Sequence, residues 1–217
     1  RIKSMRVEVY FYSHRFYSET LTSFVNTGIT FLSNGDERKS WIERILKLGR
    51  NDLFAQLSSK DINLQNNIEQ ELDGLKINIG GCISIDELNK TLLTHTNINF
   101  INNKDFLEYE INNEIKLKFK EGESYEGYSH LVLASGDSLK SVIPKIRLKH
   151  GAIAGFKDKK LNDIKCPINN SGYILPKFDN LSWAGSIYSN DEILNEDFID
   201  YKKIIDKNNQ LLSCLLY

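Results

Sequence analysis

The sequence lacks several features that mark whole classes of protein. It has only three cysteines, Cys82, Cys166 and Cys214, which lie far apart and form no Cys-x-x-Cys pair. No histidine stands at metal-ligand spacing from any of them, so no structural metal site is expected. The odd count and the wide spacing predict reduced, partly buried thiols in a cytosolic protein.

Long apolar runs and an excess of one charge are also missing. No run approaches the ~20 apolar residues that a membrane-spanning helix needs, and no secretory signal is visible. The 28 Lys and Arg residues against 29 Asp and Glu give a formal net charge of −1. No global basic field therefore draws the chain onto nucleic acid, and an RNA contact would need a local patch. We expect a cytoplasmic protein.

What is present is an ordinary globular composition. The chain has 217 residues, of which 41% are hydrophobic and 26% charged, enough for one sizeable domain or two small ones. The first residue is Arg1 rather than Met, and the apolar run 211–217 has no helix-ending signal after it. We therefore expect a fragment that is cut at both ends.

The first half of the chain alternates between helix and strand patterns. Aromatic residues seven apart in the segment 5–26 predict a helix with one apolar face. Residues 29–32 read as a strand, and Asp36 is expected to cap a helix that follows. Ser84 and Glu87 stand at the spacing of a capping box, in which each residue satisfies a backbone amide of the other.

The middle of the chain reads as a β-meander followed by a buried strand. Residues 97–101, 106–111 and 115–119 are short alternating runs between Asn-rich turns. Residues 131–133 form a continuous apolar run that ends in Ala134, Ser135 and Gly136. A buried strand that leads into small residues suits the edge of a ligand crevice in a parallel sheet.

Five motifs occur in an order that resembles the D-amino-acid-oxidase and glycine-oxidase family of FAD-dependent oxidoreductases. The family patterns are Gly-Gly-Trp-hydrophobic-Ser/Cys-Pro-Pro-x-Leu, Val-Val-Leu-Ala-x-Gly, Arg-Pro-x-Arg-Gly-Gln-Val, Gly-Tyr-Leu-Thr-Pro and Gly-Ala-Ser/Thr-Tyr. The matching segments are 80–88, 130–136, 147–153, 172–176 and 184–188. Within this family the chain resembles most the flavin half of the bifunctional tRNA 5-methylaminomethyl-2-thiouridine biosynthesis proteins.

The chain also departs from the family patterns. Cys82 stands where the first pattern has Trp, and His150 and Ala152 replace the Arg and Gln of the third. No Gly-x-Gly-x-x-Gly occurs in the sequence, although its glycines let backbone amides approach the FAD pyrophosphate at a helix N-terminus. The final glycine-rich flavin loop of the family is missing as well.

The resemblance implies an α+β fold. An α/β FAD-binding portion, without its N-terminal dinucleotide-binding loop, would accompany an antiparallel-sheet substrate domain. Residues 1–125 are assigned to a mainly helical segment and substrate-domain sheet, and 126–145 to part of the FAD-domain sheet. Residues 146–217 are assigned to substrate-domain strands and a C-terminal helix.

The resemblance also implies a reaction and a cofactor. FAD would take a hydride from the carbon between an amine nitrogen and a carboxylate, and water would then hydrolyse the imine. With carboxymethylaminomethyl-uridine at the tRNA wobble position as substrate, the products would be aminomethyl-uridine and glyoxylate. A fused methyltransferase domain is expected in the parent protein.

Site residues follow from the matched motifs. Those expected near FAD are Ala134, Ser135, Gly136, His150 and Gly151. Those expected at the substrate carboxylate, which typically binds Arg and Tyr side chains, are Arg147, Tyr173 and Tyr188. Both assignments have an alternative without a functional role. Arg147 would then be a solvated charge on a strand, and Tyr173 a side chain packed in the core. No catalytic residue and no metal site is predicted.

Two other functions stay open at this stage. One is an FAD-dependent oxidase of a free glycine-like amino acid, which a methyltransferase domain upstream in the parent gene would argue against. The other is a non-catalytic fragment that acts as a binding or structural module, which the missing glycine-rich loops favour if the chain is complete as given.

Overall fold

Helices and strands alternate in the computed structural model, which describes residues 12–147, 149–157, 163–178, 180–189 and 204. The helices are α1 (residues 12–20), α2 (Asp36–Leu46), α3 (Ser59–Asn66), α4 (Ile85–Leu93) and α5 (Leu139–Val142), with a short 3-10 turn at Gly136–Ser138 before α5. The strands are β1 (Ile29–Leu32), β2 (Phe54–Leu57), β3 (Gly74–Ile77), β4 (Phe106–Ile111), β5 (Ile115–Phe119), β6 (Ser124–Tyr128), β7 (His150–Phe156), β8 (Ile168–Asn169), β9 (Tyr173–Phe178) and β10 (Leu181–Ser189).

The chain forms two compact units, which we describe separately. The first unit is drawn from residues 1–92 and 150–217, and the second from 93–149. The α+β fold class is confirmed by the mixture of helices with antiparallel and mixed sheets. The domain boundaries expected after residues 125 and 145 stay predictions.

A seven-stranded mixed sheet organises the first unit. Its strand order is β2-β3-β1-β8-β9-β10-β7, in which β1 and β8 run parallel and the other neighbours antiparallel. One face carries the core, because side chains alternate along each strand and every second one is buried there. The buried strand residues of this face include Leu32, Ala152, Ala154, Ile168, Ile174 and Ala184.

Two helices pack on opposite faces of this sheet near β1. Ile62 of α3 belongs to the core cluster with Leu32. On the other face, the ring of Trp41 in α2 meets the ring of Phe31 in β1 at 5.4 Å between centroids. The β9-β10-β7 end of that second face therefore carries neither of these helices.

The starts of these helices differ from the sequence expectation in one case. Ser58 caps α3 in a capping box with Asp61, as serine before a helix favours. Asp36 does not cap α2: Gly35 occupies the N-cap with φ 79°, and Asp36 is the first helical residue. A positive φ suits glycine, and Asp36 and Glu37 then stand in the first turn, where the helix dipole favours negative charge.

The second unit contains the predicted meander, shifted along the chain. Strands β4, β5 and β6 form an antiparallel sheet, whereas residues 97–101 contribute no strand. Ion pairs join Lys118 to Glu108 and Glu110 across one face. Phe106, Phe119 and Tyr125 stack edge to face elsewhere in the same sheet. Charged and aromatic residues alternate along these strands, so the two faces of the meander differ in polarity.

The buried strand expected at residues 131–133 is not formed. Residues 130–135 have no regular secondary structure, and Val132 is 85% exposed. A β-strand needs a neighbour that accepts and donates its main-chain hydrogen bonds, and no strand among the described residues pairs with this segment.

Among the described residues, we find no helix with the length and apolar character to cross a bilayer. The cytoplasmic location expected from the cysteines stays a prediction.

Candidate functional site

The part of the seven-stranded sheet that no helix among the described residues covers presents an apolar, aromatic surface, which we call the open face. Register places Gly185 opposite both Tyr173 of β9 and Ile153 of β7, and Tyr188 opposite Gly151. Directly opposed residues share a face of the sheet, so these side chains lie away from the buried core. Ile153 is 46% exposed and Tyr188 is 67% exposed.

Glycines make the open face flat. A Cβ atom at Gly185 would lie 2.6 Å from Cγ2 of Ile153 and 2.9 Å from Cζ of Tyr173. A Cβ atom at Gly155 would lie 3.2 Å from Cζ3 of Trp183. The two rings therefore lie over positions that have no side chain, as aromatic residues do beside glycines in other sheets. The result is a surface on which a planar group can stack.

Tyr173 is partly buried on the open face. Partial burial raises the pKa of its phenol, and the neighbouring Tyr188 raises it further. Both effects disfavour the phenolate, because they add desolvation and a like charge. Tyr173 therefore stays protonated and can donate a hydrogen bond at and well above neutral pH.

The structure brings together four of the predicted site residues. Gly151, Tyr173 and Tyr188 share the open face, and the backbone of His150 pairs with that of Ser189 beside them. The side chain of His150 lies outside the described part. The assignment of His150 and Gly151 to the cofactor, and of Tyr173 and Tyr188 to the substrate, stays a prediction.

The other predicted residues lie in the second unit. Ala134, Ser135 and Gly136 are exposed, and the backbone of Ser135 accepts a 2.6 Å hydrogen bond from Ser138. Gly136 has φ 62°, and a Cβ atom there would meet nothing within 4 Å. Arg147 is exposed. The assignment of these four residues to cofactor and substrate stays a prediction.

Sequence reasoning missed Arg38, which the structure places beside the open face. Its Nη1 donates to Oδ1 of Asn169 at 2.7 Å and to the carbonyl oxygen of Asn169 at 3.3 Å. Asn169 is in turn the register partner of Tyr173. One signal was available. A cation in the first turn of a helix is disfavoured by the helix dipole, so Arg38 at this position indicates a compensating contact.

A cavity of about 590 Å³ opens next to Arg38. It lies at the start of α2, where the loop after β1 turns into the helix. Asn34 of that loop donates a 3.2 Å hydrogen bond to Ser171 in the β8-β9 turn. The residues that line the cavity are Phe31, Asn34, Gly35, Asp36, Glu37, Arg38, Trp41 and Arg44.

A second cavity, of about 230 Å³, is lined by Cys82, by the carboxyl-terminal half of β9 and by other residues. Burial raises the pKa of the Cys82 thiol, and the nearby Cys166 raises it further. A raised pKa keeps the thiol protonated and unreactive at neutral pH. In the part of the chain that the structure covers, no three His, Cys, Asp or Glu side chains come together as metal ligands.

Comparisons with known proteins give structural matches only. No protein-family model and no curated protein sequence matches the chain. Glycine oxidase from Bacillus cereus ATCC 14579 matches 96% of the chain with a TM-score of 0.73 at 15% identity. L-proline dehydrogenase from P. horikoshii matches 97% with a TM-score of 0.76 at 14% identity.

Iminodiacetate oxidase from Chelativorans sp. BNC1 matches 94% of the chain with a TM-score of 0.61 at 14% identity. The chain covers 64% of the glycine oxidase, 63% of the proline dehydrogenase and 59% of the iminodiacetate oxidase. It thus spans less than two thirds of the length of each. Over the part that it spans, this chain has the fold of glycine oxidase and of L-proline dehydrogenase.

Proposed function

We propose that the chain is part of a flavin-dependent oxidoreductase that oxidises an amine next to a carboxylate. The observation that carries the proposal is the open face, where Tyr173 is held protonated on a flat aromatic surface. The fold supports the substrate class. Glycine, proline and iminodiacetate, the compounds in the names of the three similar enzymes, all have an amine on the carbon that bears the carboxylate.

The described residues fit one part of FAD. The open face offers a flat apolar surface for a planar ring, with Tyr173 and Trp183 lying over glycine positions. The sequence contains no Gly-x-Gly-x-x-Gly to hold the pyrophosphate. Residues of the open face would therefore contact the ring system, and other parts of the protein would bind the phosphates.

When bound, FAD supplies the acceptor for the two electrons and the proton that leave the substrate carbon as a hydride. The role of this chain is to bind and orient the substrate. The neutral hydroxyl of Tyr173 donates a hydrogen bond to the substrate carboxylate, and its raised pKa keeps that donor in place.

The overall reaction balances without a protein nucleophile. The substrate loses a hydride from carbon and a proton from nitrogen, which leaves an imine. Water adds to the imine carbon, and the C–N bond breaks to give glyoxylate and the free amine when the substrate is an N-substituted glycine. The described residues need only hold the carboxylate until the hydride has left.

An oxidation assay tests this proposal. The protein expressed from its complete natural reading frame, supplied with FAD, is incubated with N-methylglycine, L-proline and iminodiacetate. We expect release of glyoxylate or reduction of an electron-acceptor dye with at least one of them. If none of them gives turnover while the purified protein is folded by circular dichroism, the proposal is wrong.

The sequence resemblance supports a narrower version, which we also propose. The substrate would be carboxymethylaminomethyl-uridine at the wobble position of tRNA, from which the enzyme removes the carboxymethyl group. The support is the order of the five motifs rather than any feature of the open face. Glyoxylate release from tRNA that carries this nucleoside, at a lower KM than for N-methylglycine, would favour the tRNA substrate. Turnover of free amino acids alone would favour the simpler oxidase.

A further inference from the structure

The cavity of about 230 Å³ at Cys82 has walls that backbone contacts fix. One wall is the segment after α1, in which Val25 forms an antiparallel β-bridge with Cys82. A Cβ atom at Gly81 would lie 1.9 Å from the carbonyl oxygen of Val25, so only glycine permits this approach. Another wall contains Lys165, whose backbone N–H donates a 3.1 Å hydrogen bond to the buried side chain of Asn66.

The same cavity lies where the chain departs from the family pattern. The pattern has Gly-Gly-Trp, and this chain has Cys82 in place of the tryptophan. A cysteine side chain is much smaller than an indole ring, and a large-to-small change leaves a cavity unless neighbouring groups collapse into it. The apolar residues that line the cavity are Val25, Ile164, Pro176 and Phe178. The lining therefore suits a flat aromatic group of about the size of indole.

The charged residues that line this cavity have one sign. They are Lys165 and Lys177, both exposed, and no described Asp or Glu lines it. Among the described residues, neither lysine forms an ion pair. The carboxylate of Glu87 comes near through Ser23, a lining residue, but already accepts hydrogen bonds from the amides of Thr22 and Ser23. A ligand with one negative charge beside its ring complements the two ammonium groups.

We propose that this cavity binds a small aromatic carboxylate, with its ring beside Cys82 and its carboxylate toward Lys165 and Lys177. The site is separate from the proposed function, because Tyr173 and the glycines of the open face do not line it. The ligand binds without reacting with the thiol, since burial raises the pKa of Cys82 and keeps it protonated at neutral pH.

Calorimetric titration of the full-length natural protein with indole-3-carboxylate tests the proposal. We expect saturable binding of one equivalent. Cys82→Trp places an indole ring in the cavity itself and should abolish this binding. The neutral indole-3-carboxamide should bind roughly three- to thirtyfold more weakly, the effect of losing two solvent-exposed charge pairs.

A pair of lysine substitutions tests the charge separately. Lys165→Met combined with Lys177→Met should weaken binding of indole-3-carboxylate by about the same factor. The control is Lys39→Met combined with Lys47→Met, which changes the net charge equally at exposed positions of α2 and its end, outside the cavity. We expect the control to bind as the wild type does.

Three results would overturn the proposal. They are a wild type that does not bind indole-3-carboxylate, a folded Cys82→Trp that binds it as the wild type does, and a cavity lysine variant that binds as the control does. If Cys82→Trp fails to fold, the comparison of the two lysine variants decides the question alone.

Alkylation of Cys82 by iodoacetamide at pH 9 locates the bound ligand. At a ligand concentration ten times its Kd, modification of Cys82 should slow about tenfold, as occupancy of a single site requires, and peptide mass spectrometry measures this rate. Cys166 is fully buried and should stay unmodified with or without the ligand. An unchanged rate at Cys82 would place the ligand elsewhere. A Cys82 that reacts only after unfolding would show that another part of the protein fills the cavity, and either result contradicts the proposal.

Discussion

Gly185 shows how much a single position of the open face matters. A methyl group there would lie 2.6 Å from Ile153 and 2.9 Å from the ring of Tyr173, so Gly185→Ala must displace one of them. We expect a loss of about 1–3 kcal/mol in the free energy of unfolding, the usual cost of overpacking. Urea denaturation measures this loss.

Gly155→Ala is the control for that prediction. Its new methyl group would stand 3.1 Å from Leu181 and 3.2 Å from Trp183, contacts that small side-chain shifts can relieve. The smaller overlap predicts a smaller loss of stability than Gly185→Ala gives. Equal stability of the two variants would contradict the packing described for Tyr173.

Tyr173→Phe removes the hydroxyl and leaves the ring. If the phenol binds the substrate carboxylate, KM for N-methylglycine should rise about tenfold, the value of one hydrogen bond, with kcat little changed. Tyr125→Phe is the control, because the hydroxyl of Tyr125 donates to Glu123 in the second unit. A KM that does not change in Tyr173→Phe would remove this tyrosine from the binding site.

The raised pKa of Tyr173 also gives a pH dependence. The ordinary pKa of tyrosine is 10.0, and a folded-state pKa above it means that the neutral donor persists past that point. The wild-type contribution of Tyr173 to KM should therefore stay constant up to pH 10. The stability that the neutral phenol gives is present below pH 10 and lost as pH rises through the raised value.

At the residue scale, sequence reasoning could use only local signals, and the site roles that it assigned stay predictions. Tyr173 and Tyr188 follow recognisable motifs, and the register brings them onto one face. Arg38 was missed because its partner Asn169 is 131 residues away in the chain. A contact of that range depends on the parallel pairing of β1 with β8, which no local pattern encodes.

The start of α4 shows how an expected local motif becomes a long-range contact. The backbone N–H of Glu87 donates a 3.3 Å hydrogen bond to Oγ of Ser84, which is one of the two hydrogen bonds of the expected capping box. Its carboxylate accepts hydrogen bonds from the amide and hydroxyl of Thr22 and from the amide of Ser23. The amide of Ser84 donates instead to Oγ of Ser23. The helix is thereby joined to the segment after α1.

Glu87→Gln should loosen this connection. The hydrogen bonds from Ser23 and Thr22 lower the pKa of Glu87 from 4.5 to about 2, so the carboxylate stabilises the fold when ionised. That stabilisation is full above about pH 4.5 and is lost as pH falls through about 2. We expect a lower urea midpoint at pH 7 for the variant, and a difference from wild type that disappears in acid.

Glu43→Gln controls for the loss of one negative charge on an exposed helix position. Its urea midpoint should match that of the wild type at pH 7. If Glu87→Gln also matched the wild type, the hydrogen bonds to Thr22 and Ser23 would contribute nothing measurable.

Asn66 joins the end of α3 to the segment before β8. Its Oδ1 accepts from the amides of Lys165 and Cys166, at 3.1 and 3.4 Å, and its side chain is fully buried. Asn66→Ala would leave these amides without that acceptor, at a cost of about 3 kcal/mol. Thermal or urea unfolding of this variant and of Asn51→Ala, at an exposed position, checks the difference, and equal stabilities would contradict it.

Elements with their own periodic signal were predicted well, and elements that depend on a partner were not. The strands Phe106–Ile111 and Ile115–Phe119 pair through a short turn, so their alternation was enough. The apolar run at 131–133 has the composition of a buried strand and forms none. Composition gives a segment the capacity to be a strand, and only a paired neighbour makes it one.

At the scale of the whole molecule, the fold is retained at 14–15% identity to the similar enzymes. The physical reason lies in the seven-stranded sheet, whose buried face needs only small and branched apolar residues at alternate positions. Many sequences satisfy that pattern. The fold class was therefore predictable from the order of motifs, whereas the proposed binding of a substrate carboxylate depends on single side chains such as Tyr173.

Flavin binding is tested by the visible absorption spectrum of the protein purified from its complete natural reading frame. We expect the two absorption bands of oxidised flavin, retained through gel filtration and bleached when N-methylglycine or L-proline is added without oxygen. A folded protein that stays colourless after incubation with FAD and gel filtration would contradict it.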